Sequence, residues 1–111
     1  MTPVQIVTKQ LDAYNKRDLE ENMILFSDDC KIIRFSDGQI IFDGKDACRE
    51  MYQQLFDNSP NLFAEVINRI DFGNKIVLHE YIHGRNGSAE KMEQLFILEI
   101  IANKIARLYR L

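Results

Sequence analysis

The sequence predicts an α+β fold, in which helices pack against one face of a curved antiparallel sheet. Apolar residues recur at helical spacing only in segments before Pro60. After Pro60 the chain consists of long segments rich in β-branched and aromatic residues, joined by short turns. A further pair of short strands lies between the helices. The predicted order is therefore helix, helix, hairpin, helix and four strands (ααββαββββ).

Size and charge limit what the chain can be. Its 111 residues, 46% of them hydrophobic, suffice for one core, so we expect a single domain over residues 1–111. The net charge is −3 and the Lys and Arg residues are scattered, which gives no electrostatic footprint for nucleic acid or an anionic membrane. We expect small molecules or proteins as partners.

The longest apolar stretch, "LFILEIIA", is far shorter than a membrane span, and the N-terminus lacks the apolar segment of a signal peptide. A cytoplasmic protein is expected. Cys30 and Cys48 have no metal-type spacing, so we interpret them as two reduced thiols. There is no glycine-rich phosphate loop and no Cys/His cluster, and we therefore expect no cofactor.

Capping residues and apolar spacing predict three helices. The first begins at "TPVQ", where Thr2 caps and Gln5 completes a capping box. Its buried face is predicted to contain Val4, Val7, Leu11 and Tyr14. The second begins at Asp18 and is predicted to continue through Phe26, where "SDD" (27–29) ends it. The third is amphipathic and runs from about Asp46 to Asp57.

The strands are predicted from β-branched runs bounded by turn residues. "CKIIRF" and "QIIFD" form a hairpin around Ser36-Asp37-Gly38. Four longer strands, joined by short connections, then form an antiparallel meander. Their predicted ranges are 62–71, 75–84, 91–101 and 105–111.

The run His79-Glu80-Tyr81-Ile82-His83 matches the H-E-x-x-H pattern of zinc proteases, which requires a helix. The run begins about five residues after a Gly73-Asn74 turn and ends against Gly84, which favours a strand. On a strand the two histidines stand roughly 13 Å apart and Glu80 points to the opposite face. Zinc–nitrogen bonds near 2 Å cannot bridge that distance. We therefore predict neither a zinc site nor a zinc protease.

A longer pattern resembles a known family. The run "LDAYNKRDLEENMILFSDDCKI", a hairpin followed by "FDGKDACREMYQQLF", then "NRIDFGNKIVLHEYIHGR" and "ILEIIANKIARLYRL" resemble, in order and spacing, the SnoaL-like branch of the nuclear transport factor 2-like superfamily. The resemblance covers nearly the whole chain. It implies a cone in which the sheet curls around a pocket closed by the helices, and a dimer formed through the sheet's outer face.

Ketosteroid isomerase, another member of that superfamily, uses an Asp base with a Tyr and a protonated Asp. Placed on this sequence by resemblance, the tyrosine falls near Gln10, the base near Arg34 and the second aspartate near Phe96. No catalytic residue carries over, so isomerase chemistry of that type is not expected. Tyr14 is interpreted as a structural aromatic of the core.

The same overlay places Glu80 on the concave face among apolar residues. Its predicted neighbours there are Ile76, Leu78, Ile82, Phe96, Leu98, Ile100, Leu108 and Arg110. A buried carboxylate must find a partner or raise its pKa. If the hairpin turns at Phe72-Gly73, Glu65 lies opposite Glu80 and Arg69 lies within near-diagonal reach.

Two interpretations of Glu80 remain open. In the first, Glu80 and Arg69 form a structural ion pair that fixes strand register. In the second, Glu80 is a general acid or base, or the polar anchor of a ligand. Arg34 and Arg110 would then hold an anionic group, or else lie solvated at the rim. Other predicted substrate-binding residues are Gln10, Arg69, Phe96 and Leu98.

Two functions are carried forward. The first is a homodimeric pocket protein that binds a small partly apolar molecule, with or without transforming it by isomerase-, cyclase- or hydratase-like acid–base chemistry. The second is a non-catalytic dimerisation or interaction module whose pocket is filled by Phe42, Tyr52, Phe63 and Phe96. The outer sheet face carries Val77, Tyr81, Leu95 and Ile97, an apolar set that predicts the dimer contact.

Overall fold

The computed structural model describes all 111 residues, and its elements follow the predicted order. The helices are α1 Pro3–Asn15, α2 Leu19–Met23 and α3 Lys45–Asp57. The strands are β1 Phe26–Arg34, β2 Ile40–Asp43, β3 Phe63–Phe72, β4 Lys75–His83, β5 Met92–Ile101 and β6 Lys104–Arg110. A single 3₁₀ turn, Arg85–Gly87, connects β4 to β5. None of the helices is both long and apolar enough to span a membrane.

All six strands belong to one sheet, in the order β2-β1-β6-β5-β4-β3. The hairpin β1-β2 and the meander β3 to β6 pair antiparallel, as predicted. The pair β1-β6 is parallel, because the chain crosses over through β2, α3 and the meander before it returns beside β1. The fold class is therefore α+β with a curved, mainly antiparallel sheet, and the predicted element order is confirmed.

The N-terminal cap of α1 is the predicted capping box. The backbone N–H of Gln5 donates to Thr2 Oγ1 (3.2 Å), and the N–H of Thr2 donates to Gln5 Oε1 (2.8 Å). The pair satisfies two N–H groups that the first helical turn leaves free. The helix then buries Ile6, Val7, Gln10 and Ala13 against the sheet.

The predicted extent of the second helix is wrong. Asp18 caps α2 as expected, but the helix ends at Met23 and Phe26 is the first residue of β1. Asp28 and Asp29 lie within that strand, so they do not end a helix. Phe26 pairs with Ile105 of β6 and is buried, and this non-local pairing overrides the local helical spacing.

Strand β4 alternates strictly between the two faces of the sheet. Ile76, Leu78, Glu80 and Ile82 are buried beneath the helices, whereas the residues between them are only partly buried. This alternation confirms that the H-E-x-x-H run lies on a strand. The concave face and the helices enclose the core, and one part of that space remains unfilled.

Candidate functional site

The unfilled space is a pocket between the concave face of the sheet and helices α1 and α3. Eleven of its 16 lining residues are hydrophobic, and its empty volume is about 520 Å³ with the open mouth included. The other five lining residues are polar or charged, namely Gln10, Glu80, Arg85, Gln94 and Arg110, and Tyr14 and Tyr52 among the eleven each carry a hydroxyl group. A mainly apolar pocket with few polar groups is typical of small-molecule sites.

Glu80 is the buried acid of this pocket. Its side chain is only 3% exposed, and β4 directs it inward between Leu78 and Ile82. Burial raises the pKa of Glu80 from its ordinary value of 4.5 to about 7, and no charged or hydrogen-bonding group opposes that effect. Its carboxylate thus has no partner within the protein, and protonation and ionisation are balanced near neutral pH.

The predicted ion pair between Glu80 and Arg69 is wrong. The hairpin turns at Gly73-Asn74, which pairs Phe72 with Lys75, and the pairing shifts by one residue between Val66 and Asn68. Val66 is consequently opposite Glu80. Arg69 lies opposite Leu78, but its Nε donates to Asp71 Oδ1 at 3.0 Å.

Glu65 does not lie opposite Glu80 either. It pairs with Tyr81 on the outer face and accepts a hydrogen bond there from His83 Nε2 at 3.0 Å. The register shift at the bulge moves one end of β3 by one position, which exchanges the faces of its residues.

Gln94 lies directly opposite Glu80 on β5. Its Oε1 is buried and receives no hydrogen bond from the protein. Cross-strand partners have Cβ atoms about 4.5–5.5 Å apart, so Glu80 and Gln94 form adjacent acceptors on one pocket wall. A buried acceptor without a donor costs free energy unless a ligand or a water supplies the donor.

Two arginines bring positive charge to the same pocket. Arg110 near the end of β6 lies beside Met51 Sδ (3.8 Å from Nη2) and the ring of Phe42 (5.9 Å from Cζ). Burial lowers the pKa of Arg110, which nevertheless remains charged at neutral pH. Arg85 reaches the pocket from the 3₁₀ turn after β4. Neither side chain takes part in an ion pair.

The turn that carries Arg85 is fixed by close contacts. Gly84 has φ +74°, and a Cβ at this position would lie 2.3 Å from the carbonyl oxygen of Asn61. The N–H of Asn86 donates to Oγ of the fully buried Ser59 at 2.8 Å. Only glycine fits at residue 84, and the turn is held against the segment before β3.

Tyr14 projects from α1 into the pocket and contacts α3 edge to face through Tyr52 and Phe56, with ring centroids 6.3 and 5.7 Å apart. Burial raises the pKa of Tyr14 to about 12, and the nearby charges are Arg85, Glu80 and Arg110. Its hydroxyl is therefore protonated at neutral pH. The interpretation of Tyr14 as a core aromatic is incomplete, because the ring packs in the core while the side chain lines the pocket.

Among the other predicted site residues, Gln10, Phe96 and Leu98 line the pocket. Gln10 is already bonded, since its Nε2 donates to Asn22 Oδ1 at 2.9 Å. Arg34 is exposed, does not line the pocket, and donates to Asp37 in the β1-β2 turn (Nη2–Oδ2 2.9 Å). The ion pair with Asp37 and a hydrogen bond from Nη2 to Gln39 Oε1 hold Arg34 at the surface.

Sequence reasoning missed Tyr14, Arg85 and Gln94 as pocket residues. Gln94 shares its face with Phe96 and Leu98 by strand alternation, so that signal was present. Arg85 lies in an irregular turn, where no periodicity indicates the direction of a side chain.

The histidines of the H-E-x-x-H run are bonded on the outer face. His79 Nε2 donates to Glu93 at 2.6 Å while its Nδ1 accepts from Asn68 at 3.2 Å, and His83 donates to Glu65. No three His, Cys, Asp or Glu residues lie close enough together to hold a metal ion.

The four aromatic residues proposed to fill the pocket do not all lie in it. Tyr52 and Phe96 line it, and Phe42 packs beside the core and Arg110. Phe63 is 49% exposed and lies near His83 (ring centroids 6.4 Å apart) at the end of β3. Pocket filling by all four side chains is therefore wrong.

Solved structures and family models place this architecture among known proteins. A cystatin-fold protein from Novosphingobium aromaticivorans is similar to the chain, with a TM-score of 0.90, 19% identity, and coverage of 100% of this chain and 98% of the other. A putative polyketide cyclase from Sinorhizobium meliloti has a TM-score of 0.80 and 20% identity, with coverage of 96% and 94%.

A third similar structure is that of TerC co-crystallized with polyporic acid, at a TM-score of 0.80 and 11% identity, with coverage of 98% and 80%. At these identities the likeness shows the fold alone. No curated protein shows significant sequence similarity to the chain. The family model of the SnoaL-like domain matches residues 7–108. The chain therefore belongs to the SnoaL-like domain family.

Proposed function

We propose that the protein binds a small, partly apolar organic molecule in the pocket and uses Glu80 as an acid or base toward it. The observation that carries the proposal is the unpartnered burial of Glu80, 3% exposed in an apolar pocket. A carboxylate in such a place costs stability, whereas an amide or apolar residue would cost less. Perturbed carboxyl groups in clefts are typical of functional sites.

The chemistry open to Glu80 follows from its pKa of about 7. A group that is half protonated near neutral pH can take a proton from a bound molecule and return it elsewhere. Isomerisation, cyclisation and hydration all require this pair of transfers. The putative polyketide cyclase among the similar structures and the TerC structure with polyporic acid support a ligand-binding role for this pocket.

The first test compares the protein with Glu80→Gln, using Glu93→Gln on the outer face as a control with the same charge change. Native mass spectrometry of purified, untagged protein detects a retained organic molecule, and a fluorescent hydrophobic dye reports pocket occupancy. We expect Glu80→Gln to lose the retained molecule, or to bind the dye with altered affinity, while Glu93→Gln behaves as the parent. Equal binding by all three proteins would reduce Glu80 to part of the scaffold.

A second candidate function is a non-catalytic interaction module. The supporting observation is the exposed apolar set at the β3 end of the sheet, where Ile70 is 61% and Phe72 74% exposed. For such a module the dye and a small-molecule screen would both find an unoccupied, non-binding pocket. Dye binding that is competed by a small molecule favours the first function.

A homodimer through the outer sheet face belongs to the proposal. Val77, Tyr81, Leu95 and Ile97 lie there and remain only partly buried in the single chain. Sedimentation at micromolar concentration should report twice the mass of 13.0 kDa, and a strict monomer would contradict it.

The proposed location is the cytoplasm, which the two free thiols of Cys30 and Cys48 support.

A further inference from the structure

The charges inside the pocket are unbalanced, and they indicate the charge of the ligand. Arg85 and Arg110 both line it, while Glu80 is its only carboxylate. Four other arginines have a carboxylate partner within ion-pair distance: Arg34, Arg49, Arg69 and Arg107. The two pocket arginines have none. Their positive charge exceeds the negative charge of Glu80 whether that carboxyl is ionised or not.

Glu80 forms no ion pair with either arginine. It lies on β4, Arg110 lies on β6, and β5 separates them. The register places Arg110 opposite Phe96 and Glu80 opposite Gln94, two residues farther along β5. Their Cα atoms are roughly 12 Å apart at ordinary strand spacings. An anionic group bound at Arg110 can therefore coexist with Glu80.

Arg85 and Tyr14 complete the positively charged part of the pocket. Tyr14 lies within electrostatic reach of both arginines, and its hydroxyl supplies a further donor. The Ser59-Asn86 hydrogen bond and the close contact at Gly84 hold the turn from which Arg85 projects. Guanidinium groups bind carboxylates through paired N–H donors, and an apolar surrounding strengthens that contact.

At Gln94 the pocket needs a hydrogen-bond donor and not an acceptor. Its buried Oε1 has no donor, and Glu80 lies next to it across the strand pair. A ligand hydroxyl placed here donates to Gln94 and lies within reach of the Glu80 carboxyl group. Next to Gln94 on the same face of β5, Phe96 pairs with Arg110, and Leu98 continues the apolar wall beyond it.

The geometry points to a hydroxylated organic acid as the ligand class. Its carboxylate is bound by Arg85 and Arg110 with the Tyr14 hydroxyl, its hydroxyl donates to Gln94 Oε1 beside Glu80, and its apolar body lies against Phe96 and Leu98. This inference rests on the proposed function, since it assigns the substrate class of the same pocket. It makes Arg85, Tyr14 and Gln94 binding residues in addition to Glu80 and Arg110.

The test uses two probes of nearly the same shape, the anionic 6-hydroxy-2-naphthoate and the neutral 6-hydroxy-2-naphthamide, with binding measured by titration calorimetry at fixed pH and low salt. We expect the carboxylate to bind at least tenfold more tightly than the amide. Arg85→Gln should reduce that preference to less than threefold. Arg34→Gln, which removes the same charge at the surface, should leave it unchanged.

Arg110→Met is a second variant for the case in which Arg85→Gln does not fold, and it should reduce the preference to the same extent. Equal affinity for both probes, or an undiminished preference in both pocket variants, would overturn the anion site and leave the proposed function standing. If neither probe binds while the hydrophobic dye does, the ligand class is wrong and the pocket function survives. If neither the probes nor the dye bind, the proposed function fails as well.

Discussion

The polar side chains on the two faces of strand β4 differ in whether they have a partner. On the outer face, His79 donates to Glu93 at 2.6 Å and His83 donates to Glu65 at 3.0 Å. On the inner face of the same strand, between these two histidines, Glu80 is buried with no partner. Along β4, the two histidine side chains near the surface are paired, whereas the buried side chain of Glu80 is not.

This difference separates residues that support the fold from a residue that the fold does not need. Exposed pairs cost little to form and contribute little to stability, so their presence on a surface is unremarkable. A buried carboxyl without a partner lowers stability, because no hydrogen bond or ion pair offsets the loss of its hydration. The pocket contains other polar groups that the protein does not pair: Gln94 Oε1 is buried without a donor, and Arg85 and Arg110 are partly buried without a carboxylate. We attribute all of them to a ligand.

The largest expected effect is on the stability of Glu80→Gln. The pKa of Glu80 is raised from 4.5 to about 7 in the folded chain, so the parent loses stability as pH rises between these values. The loss is complete above pH 7 and corresponds to about 3 kcal/mol. Urea unfolding should therefore show Glu80→Gln more stable than the parent by about that amount at pH 8, and by less than about 1 kcal/mol at pH 5.

The same measurement on Glu93→Gln provides the control, because it removes a carboxyl from the outer face of the neighbouring strand. A stability difference for Glu80→Gln that does not change between pH 5 and pH 8 would show that the carboxyl is solvated or paired in the folded protein.

A smaller effect is expected for Gln94→Met, which replaces the amide by an apolar side chain of similar length. Removal of the donor-less Oε1 should raise the free energy of unfolding by about 1 kcal/mol with no dependence on pH. The probe 6-hydroxy-2-naphthoate should bind more weakly to this variant than to the parent. A loss of stability together with unchanged probe binding would mean that Gln94 is a structural residue whose oxygen is satisfied by water.

The smallest effect is expected on the outer face. Glu65→Gln and Glu93→Gln each weaken one exposed histidine contact and should cost less than about 1 kcal/mol, an amount that decreases further at high salt. Thermal unfolding in low and high salt measures this. A loss of several kcal/mol at either residue would contradict the comparison as drawn for the single chain, and would place the pair inside the proposed homodimer contact.

The sequence predicts the features of the fold that depend on local pattern. The element order and the strand assignment of His79 to His83 follow from turn residues and alternation, and they put Glu80 on the inner face. The apolar spacing of the second helix continues to Phe26, so the local pattern predicts helix where the structure has the start of β1. Only the pairing of Phe26 with Ile105, which is remote in sequence, decides between the two structures.

The partners of Glu80 were not predictable to the same degree. Which residue faces it depends on the position of the turn and on the bulge between Val66 and Asn68, and one residue of slippage exchanges inner and outer faces. The contribution of Arg85 depends on an irregular turn held by Gly84 and Ser59, contacts that join distant parts of the chain.

The most direct test of the central claim is a pH titration of the Glu80 side-chain carboxyl carbon by NMR, assigned by comparison with Glu80→Gln. A midpoint near pH 7 in the ligand-free protein is the predicted result, since burial without a partner disfavours the ionised form. A midpoint near or below 4.5, the ordinary value for a glutamate, would show that Glu80 is stabilised by the protein or by water. In that case the pocket would hold no acid–base group of the proposed kind.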